Sequence, residues 1–389
     1  MSTLYLLEPA SPGPEWAPFA GCRPVAELRA GVWLVRERWE GILGGLETAA
    51  ILGTHCLDFA DTGSPQVAPP FPVEGPAIVA AAWFAPSELP TDLAPDTRRL
   101  THEDHTVAWI IPAGEQWMGA EDSSGRAQPV DGFPLRGSHD LLAALEHLLV
   151  PDCADFLAET GDPIPDGSVV IGDPSDLVLL GAMIDPGVVF DTRGGVIVLE
   201  EGVEVRSGTR LQGPLFVAAG TVLAGGAIRH SAIGPQCRVH GEVSASVFLG
   251  FANKSHDGFL GHSVLGHWVN LGAGTITSNL KNTYGAIRLE VAGARLETGR
   301  TNLGTLFGDH AKTAIGTLLP TGCIVGAGAN LFGSPSAPKY LAPFAWGLDG
   351  DRVDEERFVT LAGRVMPRRG IEMTPEREAS LRSIHRRLG

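Results

Sequence analysis

In GVEVRSGTRLQGPLFVAAGTVLAGG (Gly202 to Gly226) an aliphatic residue returns every sixth position, at Val205, Leu211, Val217 and Leu223, and Gly202, Gly208, Gly220 and Gly226 keep the same interval. A period of six is neither the 3.6 of a helix nor the simple alternation of a strand. It fits short strands joined by tight turns, each strand sending one small aliphatic side chain inward, and such coils stack into a parallel β-helix. The interval continues at Ile233, Val239, Leu265 and Leu271, slips near 229–232 and 244–246, and returns at Ile315-Gly316 and Val325-Gly326. Over about 279–312 it is lost, so an insertion or loop must leave the prism there. Of the 50 glycines, 33 lie between 161 and 350, which marks 161–346 as a unit of its own.

The whole chain has 389 residues, 44% hydrophobic and 19% charged, which excludes disorder, a coiled coil and a small disulfide scaffold. Its net charge of -16 opposes sequence-independent attraction to nucleic acid or to an anionic membrane. Five cysteines, far apart and without a CxxC, give neither a disulfide framework nor a thiolate zinc site, so a reducing cytoplasm is expected. The start has no basic region before an apolar one, and the longest wholly apolar run is the nine residues Ala77 to Ala85, too short for a membrane span.

Residues 1–160 read as an α/β domain, with apolar stretches at Leu4–Leu7, Ala77–Phe84 and Val107–Ile111 alternating with helical patterns. Val25, Leu28, Val32, Val35 and Trp39, spaced three and four apart, predict an amphipathic helix with a break near Gly31. A second helix is predicted over Leu141–Leu149, with Pro151, Pro163 and Pro165 marking the link to the repeat. The tail, 347–389, predicts two helices, Asp351–Met366 and one from Thr374, with Thr374 as N-cap and Pro375 at the first helical position. It would cap the repeat or act as an interface arm.

All four lysines, Lys254, Lys281, Lys312 and Lys339, fall within the irregular part of the repeat, against 25 arginines in the chain. Such a cluster suits an anionic ligand such as phosphate or coenzyme A, the plain alternative being solvated surface lysine. His102-Glu-Asp-His105 has a metal-like composition but reads as a turn.

NKSHDGFLGHSVLGHWVNLGAGTITSNL (Asn253 to Leu280) resembles the acetyltransferase domain of the bacterial bifunctional enzymes that acetylate glucosamine-1-phosphate and then uridylylate it. The family's K-x-G-H-x-x-Y-L-G-D and V-N-I-G-A-G-T-I-T-x-N lie on it without a gap. The resemblance implies His256 as general base, Lys254, Asn270 and Asn279 around the amino sugar, and Ala273, flanked by Gly272 and Gly274, at the thioester end of acetyl-CoA. Phe259 and Leu280 stand where the family has tyrosines, Lys281 would substitute for a sugar-phosphate lysine, and Lys312 would face the coenzyme. An imidazole suits the base role, with Asp257 or a carbonyl to orient it, and the Gly272–Thr275 amides would serve the oxyanion.

Residues 18–39, with Phe307–Gly333 and Ala345–Gly347, are similar to sugar nucleotidyltransferases that carry a C-terminal hexapeptide-repeat domain. The resemblance implies a nucleotidyltransferase-like (Rossmann-like) domain, a left-handed parallel β-helix and a homotrimer, with no nucleic acid or membrane partner. It also implies sugar phosphates and nucleotides such as UDP-N-acetylglucosamine as small-molecule partners. The G-x-G-T-R loop of those enzymes is absent, since Leu7 is followed by Glu-Pro-Ala-Ser-Pro-Gly-Pro. Arg23, of an Arg-Pro pair, and Arg29 are the phosphate candidates, unless Arg23 simply pairs with Glu27. Mg²⁺ would be needed if the domain is active, with Asp58, Asp61, Asp104 and Asp131 all open as ligands. Two other readings remain: a non-catalytic nucleotide-sugar-binding trimeric scaffold, and a zinc hydratase resembling gamma carbonic anhydrases through His230, His262 and His267.

Overall fold

The structure, a computed structural model, describes residues 2–90 and 92–389. Strand Thr3–Leu7 lies parallel to Thr48–Leu52 on one side and to Ala77–Ala81 on the other. The sheet extends past Thr48–Leu52 to Val67–Ala68, and past Ala77–Ala81 through antiparallel His105–Ile111 and Thr97–His102 to Arg126–Pro129. Ala77–Ala81 is buried at every position because both sheet faces are covered. Helices α1 (Val35–Ile42) and α2 (Asp140–Asp155) cover one face. On the other, Trp117 from the short pair Val73–Glu74 and Gln116–Trp117 packs on Val79, Trp109 and Ile111. The α/β expectation thus holds as a mixed sheet with fewer helices than the alternation implied.

Two local expectations are corrected. The helix predicted from Val25 begins only at Val35; Val25–Glu27 is a 3-10 turn, and Arg29–Ala30 pairs with Trp33–Leu34 in a tiny hairpin. Gly31 turns that hairpin at φ +68°, where an added Cβ would clash with Arg38 and Asp152. All five apolar positions are nonetheless buried or nearly so, so the spacing reported burial while Gly31 set the backbone. Pro151 lies inside α2 and marks no linker. The His102–His105 segment is a hairpin turn, with Glu103 and Asp104 at positive φ.

From Val169 to Leu341 the chain forms a parallel β-solenoid with three faces. The first face is a nine-stranded ladder running from Leu177–Leu179 to Tyr340–Leu341. The second runs from Met183–Ile184 through Asn253–Lys254, Asn270–Leu271 and Lys312–Thr313 to Asn330–Leu331. The third starts at Val169–Ile171 and includes Phe259–Gly261 and the Ile276–Thr277/Leu318–Leu319 pair. The predicted six-residue positions Val205, Leu211, Val217, Leu223, Ile233, Val239, Leu265 and Leu271 all lie in one buried core. The glycines at 202, 208, 220 and 226 all take positive φ. The slips at 229–232 and 244–246 are corners, with His230 and Ala245 at φ +48° and +47°.

The lost period is an excursion. Val264–Leu265 pairs directly with Leu306–Phe307, and the chain between leaves after Asn279, forms the hairpin Arg288–Val291/Ala294–Glu297 and returns where Leu303 donates to the Asn279 carbonyl. The first face is apolar on both sides. Leu179, Leu199, Val217, Ile233 and Phe248 point into the solenoid core, while their neighbours Val178, Val198, Phe216, Ala232 and Val247 join the core of the N-terminal domain. The tail helices α3 (Glu355–Val365) and α4 (Pro375–Leu388) join that same core through Phe358, Val359, Leu381 and Ile384. As predicted, Thr374 caps α4, accepting from the Arg377 amide. Among the described residues no helix is long and apolar enough to cross a membrane, and all five cysteines are free and buried.

Candidate functional site

His256 sits in the exposed corner between the second and third faces, just after strand Asn253–Lys254. That corner is held by Lys254, which is 2% exposed and whose ammonium donates to the His240 carbonyl at 2.9 Å and to the His256 carbonyl. Burial pushes the Lys254 amine down to about 8. Lys254 therefore fixes the backbone under His256 and spends its donors there. One coil on, Gly274 donates to the Asp257 carbonyl at 3.0 Å and Gly272 to Thr313, so the Gly272–Thr275 turn stacks on the His256 corner. Thr275 donates to Gly272, leaving Ala273 as the amide of this turn with no partner among the described residues.

Asp257 does not orient His256. It lies 3.3 Å from Nδ1 of His240, a second imidazole at the same corner that sequence reasoning missed. Its only signal was register, since Val239 pairs with Lys254 and so sets His240 one coil before the corner. Asn270 is exposed on the second face, accepting from Asn253 at 3.1 Å. Asn279 lies beyond the third face, where its amide meets Nδ1 of His262 at 2.8 Å. One chain thus joins His256 with Lys254 and the Gly272–Gly274 turn, sets Asn270 on the adjoining face and places Asn279 at a different corner. Lys281 donates to Ala286 within the excursion, and Lys312 to His310. Among the described residues no lysine forms an ion pair; each caps a carbonyl of the solenoid or its excursion.

The N-terminal candidates meet at the domain junction. Arg23 is buried and donates to Asp309 at 2.9 Å and to Asp61 at 2.8 Å, while Nδ1 of His267 lies 2.8 Å from Asp61. Burial alone would raise the Asp61 carboxyl, but His267 and Arg23 hold it far below the usual carboxylate range. Glu27 pairs with Arg36 and not with Arg23. Arg29 is buried beneath the Val32 carbonyl. The amides of Val25 and Ala26, next after Arg23-Pro24, are taken by Glu8 at 2.8 and 2.9 Å, so a residue in place of the missing phosphate loop fills donors that an external anion would use.

At the carboxyl ends of the parallel strands a cleft of about 290 Å³ opens between Leu7, Glu8, Gly53, Phe71, Trp83 and Trp117. It lies where strands on either side of Thr3–Leu7 diverge, the position that open α/β sheets use for ligands. The four aspartates do not fit a Mg²⁺ site. Asp61 is neutralised by Arg23 and His267, Asp58 accepts from Ser383, Asp104 occupies a hairpin turn, and Asp131 begins a separate strand. His267, held at the junction with Asp61, does not meet His230 and His262 in one set, and the described residues contain no group of three metal-capable side chains.

Residues 12–156 match the family model described as sugar nucleotidyl transferase. The chain is 30% identical over 150 residues to a bifunctional sugar-1-phosphate nucleotidylyltransferase/acetyltransferase of Sulfurisphaera tokodaii, covering 36% of this chain and 35% of that protein. It is 33% identical over 86 residues to the bifunctional protein GlmU of Methanocaldococcus jannaschii, covering 22% and 21%. To the bifunctional protein GlmU of Nitrosospira multiformis it is 30% identical over 166 residues, covering 36% and 34%. The chain matches about a third or less of the length of these relatives. The chain therefore joins a domain that matches the sugar nucleotidyl transferase model to a β-solenoid, and is similar to bifunctional nucleotidylyltransferase/acetyltransferase proteins.

Proposed function

We propose that this chain is a transferase of nucleotide-sugar metabolism whose solenoid moves an acetyl or other acyl group from acyl-CoA to an amino-sugar phosphate. The observation that carries the reading is the His256 corner: an exposed imidazole on a backbone pinned by Lys254, stacked against a glycine turn with the Ala273 amide unpaired. His256 takes the proton from the acceptor amine as its nitrogen attacks the thioester carbonyl; the C–N bond forms, the C–S bond breaks and the thiol leaves. The Ala273 amide donates to the developing oxyanion. The units are 1–160, 161–346 and 347–389.

The separation of Asn279 from His256 within one chain supports a homotrimer, in which a neighbouring copy completes the amino-sugar site. The N-terminal domain binds a sugar nucleotide in the cleft beside Trp83 and Trp117; with Glu8 on the Val25 and Ala26 amides and no group of three metal-capable side chains among the described residues, its transfer activity is weak or lost. Among the described residues no helix is long and apolar enough to cross a membrane, and a cytoplasmic location fits the free cysteines.

His256→Ala is expected to lower acyl transfer, read as thiol release from acetyl-CoA with amino-sugar phosphates, by roughly 10²–10⁴-fold while the melting temperature stays unchanged. Undiminished turnover in that variant removes the base assignment. Stabilisation by a nucleotide sugar with no thiol release from any acyl-CoA would favour the scaffold reading.

A further inference from the structure

The His256 corner carries a second imidazole that the transfer step leaves idle. His240 lies on the coil before it, because Val239 pairs with Lys254, and Ala273 lies on the coil after it, because Asn253 pairs with Asn270. Three successive corners therefore stand in line: His240, then His256 with Asp257, then Ala273. Lys254 ties the first two, its ammonium donating to the carbonyls of both histidines. Gly225 seats the His240 ring over the preceding coil, since a Cβ there would lie 2.9 Å from both Cδ2 and Nε2 of the imidazole.

Asp257 is turned back along this line. Its Oδ1 lies 3.3 Å from Nδ1 of His240, and its side chain is 92% exposed against 29% for the imidazole. Among the described residues it pairs with no lysine or arginine, because the ammonium of Lys254 is spent on carbonyls. The carboxylate is thus held at one oxygen and open at the other. In that state it makes charge-assisted hydrogen bonds with a cation and offers much less to an uncharged hydroxyl. With the Ala273 amide on the thioester oxygen, the coil after His256 is taken. The acceptor therefore reaches the base from the His240 side, where Asp257 stands.

We propose that Asp257, held in place by His240, receives the ammonium group of the acyl acceptor, so that the corner selects amines over alcohols. Asp257 is then the residue that determines specificity, and His240 is a positioning residue that acts through it. The direction of approach rests on the acyl-transfer reading; the preference for a cation rests on the carboxylate and holds without turnover.

Isothermal titration of the full-length protein with glucosamine and with glucose, which differ only in one amino group, tests it. The parent is expected to prefer glucosamine by roughly tenfold or more, and the preference should fall as salt is added. Asp257 is exposed, so Asp257→Asn keeps the fold; it should bind the two sugars equally, while Asp257→Glu retains the preference. His240→Ala should lose part of the preference, and His240→Gln, which still offers a donor to Asp257, should keep it. In turnover with acetyl-CoA, Asp257→Asn should raise KM for glucosamine about tenfold and leave KM for acetyl-CoA unchanged. Equal binding of the two sugars by the parent, no binding of either, or a preference that survives in Asp257→Asn overturns the ammonium site. A preference for glucosamine without thiol release supports the site and rejects acyl transfer alone. Thiol release with an unchanged glucosamine KM in Asp257→Asn rejects the site alone.

Discussion

On the first face of the solenoid the outward row reads Val178, Val198, Phe216, Ala232 and Val247; on the second it reads Arg238, Asn253, Asn270, Lys312 and Asn330. The inward rows of both faces are buried, aliphatic on the first and broken on the second by Lys254 and Thr313 among Val239, Leu271 and Leu331. The coil is therefore indifferent to what its outer row carries, and that row chooses the partner. An apolar row takes the N-terminal domain, with Phe216 meeting Trp33 and Phe156 at ring distances of 6.2 and 5.6 Å. A polar row takes only the short turn after α3 and leaves a cleft. Function needs the second kind of surface, because a ligand can enter only where packing has not already filled the face.

The sharpest way to break this contrast is Phe216→Asp. It removes a buried ring and buries an unpaired charge between domains, so a loss above about 5 kcal/mol, read as absence of a cooperative unfolding transition, is expected. A folded variant with near-parental stability would show that the domains are held by something other than the apolar row. Next in size is Arg23→Met, which strips Asp61 and Asp309 of their guanidinium and should cost about 3–5 kcal/mol in urea denaturation.

The pH profile follows from the same cluster. Because the folded Asp61 carboxyl lies below its unfolded value of ~3.9, its contribution to stability is present above that pH and is lost as pH falls below it. The parent should therefore lose more stability than Arg23→Met between about pH 5 and 2, measured by urea midpoints; parallel curves would reject the cluster as the clamp. On the polar face Asn270→Ala should change stability by less than about 0.5 kcal/mol, since the residue is exposed. Smallest of all, Arg229→Ala on the third face breaks an exposed pair with Glu242 and should cost between 0 and about 1 kcal/mol, vanishing at high salt.

The fold was legible where a pattern repeats locally. Val205, Leu211, Val217 and Leu223 recur because each strand turns one side chain inward, and the excursion showed itself as the loss of that interval. The helix predicted from Val25 failed because spacing reports which side is buried and not the backbone: a single αL glycine at position 31 makes a hairpin with the same buried residues. The candidate site was half legible. His256 and the Gly272–Gly274 turn adjoin because seventeen or so residues close one coil, a distance the ungapped motif already contains. Lys254, which the resemblance sets beside the amino sugar, also ties two coils, and His240 carried no motif at all.

The six-residue interval by itself determined that a solenoid forms, where its core runs and where the chain must leave it, since those follow from side-chain alternation within one coil. Tertiary structure alone decided what each face does. Arg23 and Asp309 are 286 residues apart, and Arg369 meets Asn253 across 116. Such pairs arise only once the first face is covered and the tail is drawn over the second, because a side chain's partner depends on which surfaces are buried together, and no local spacing records that.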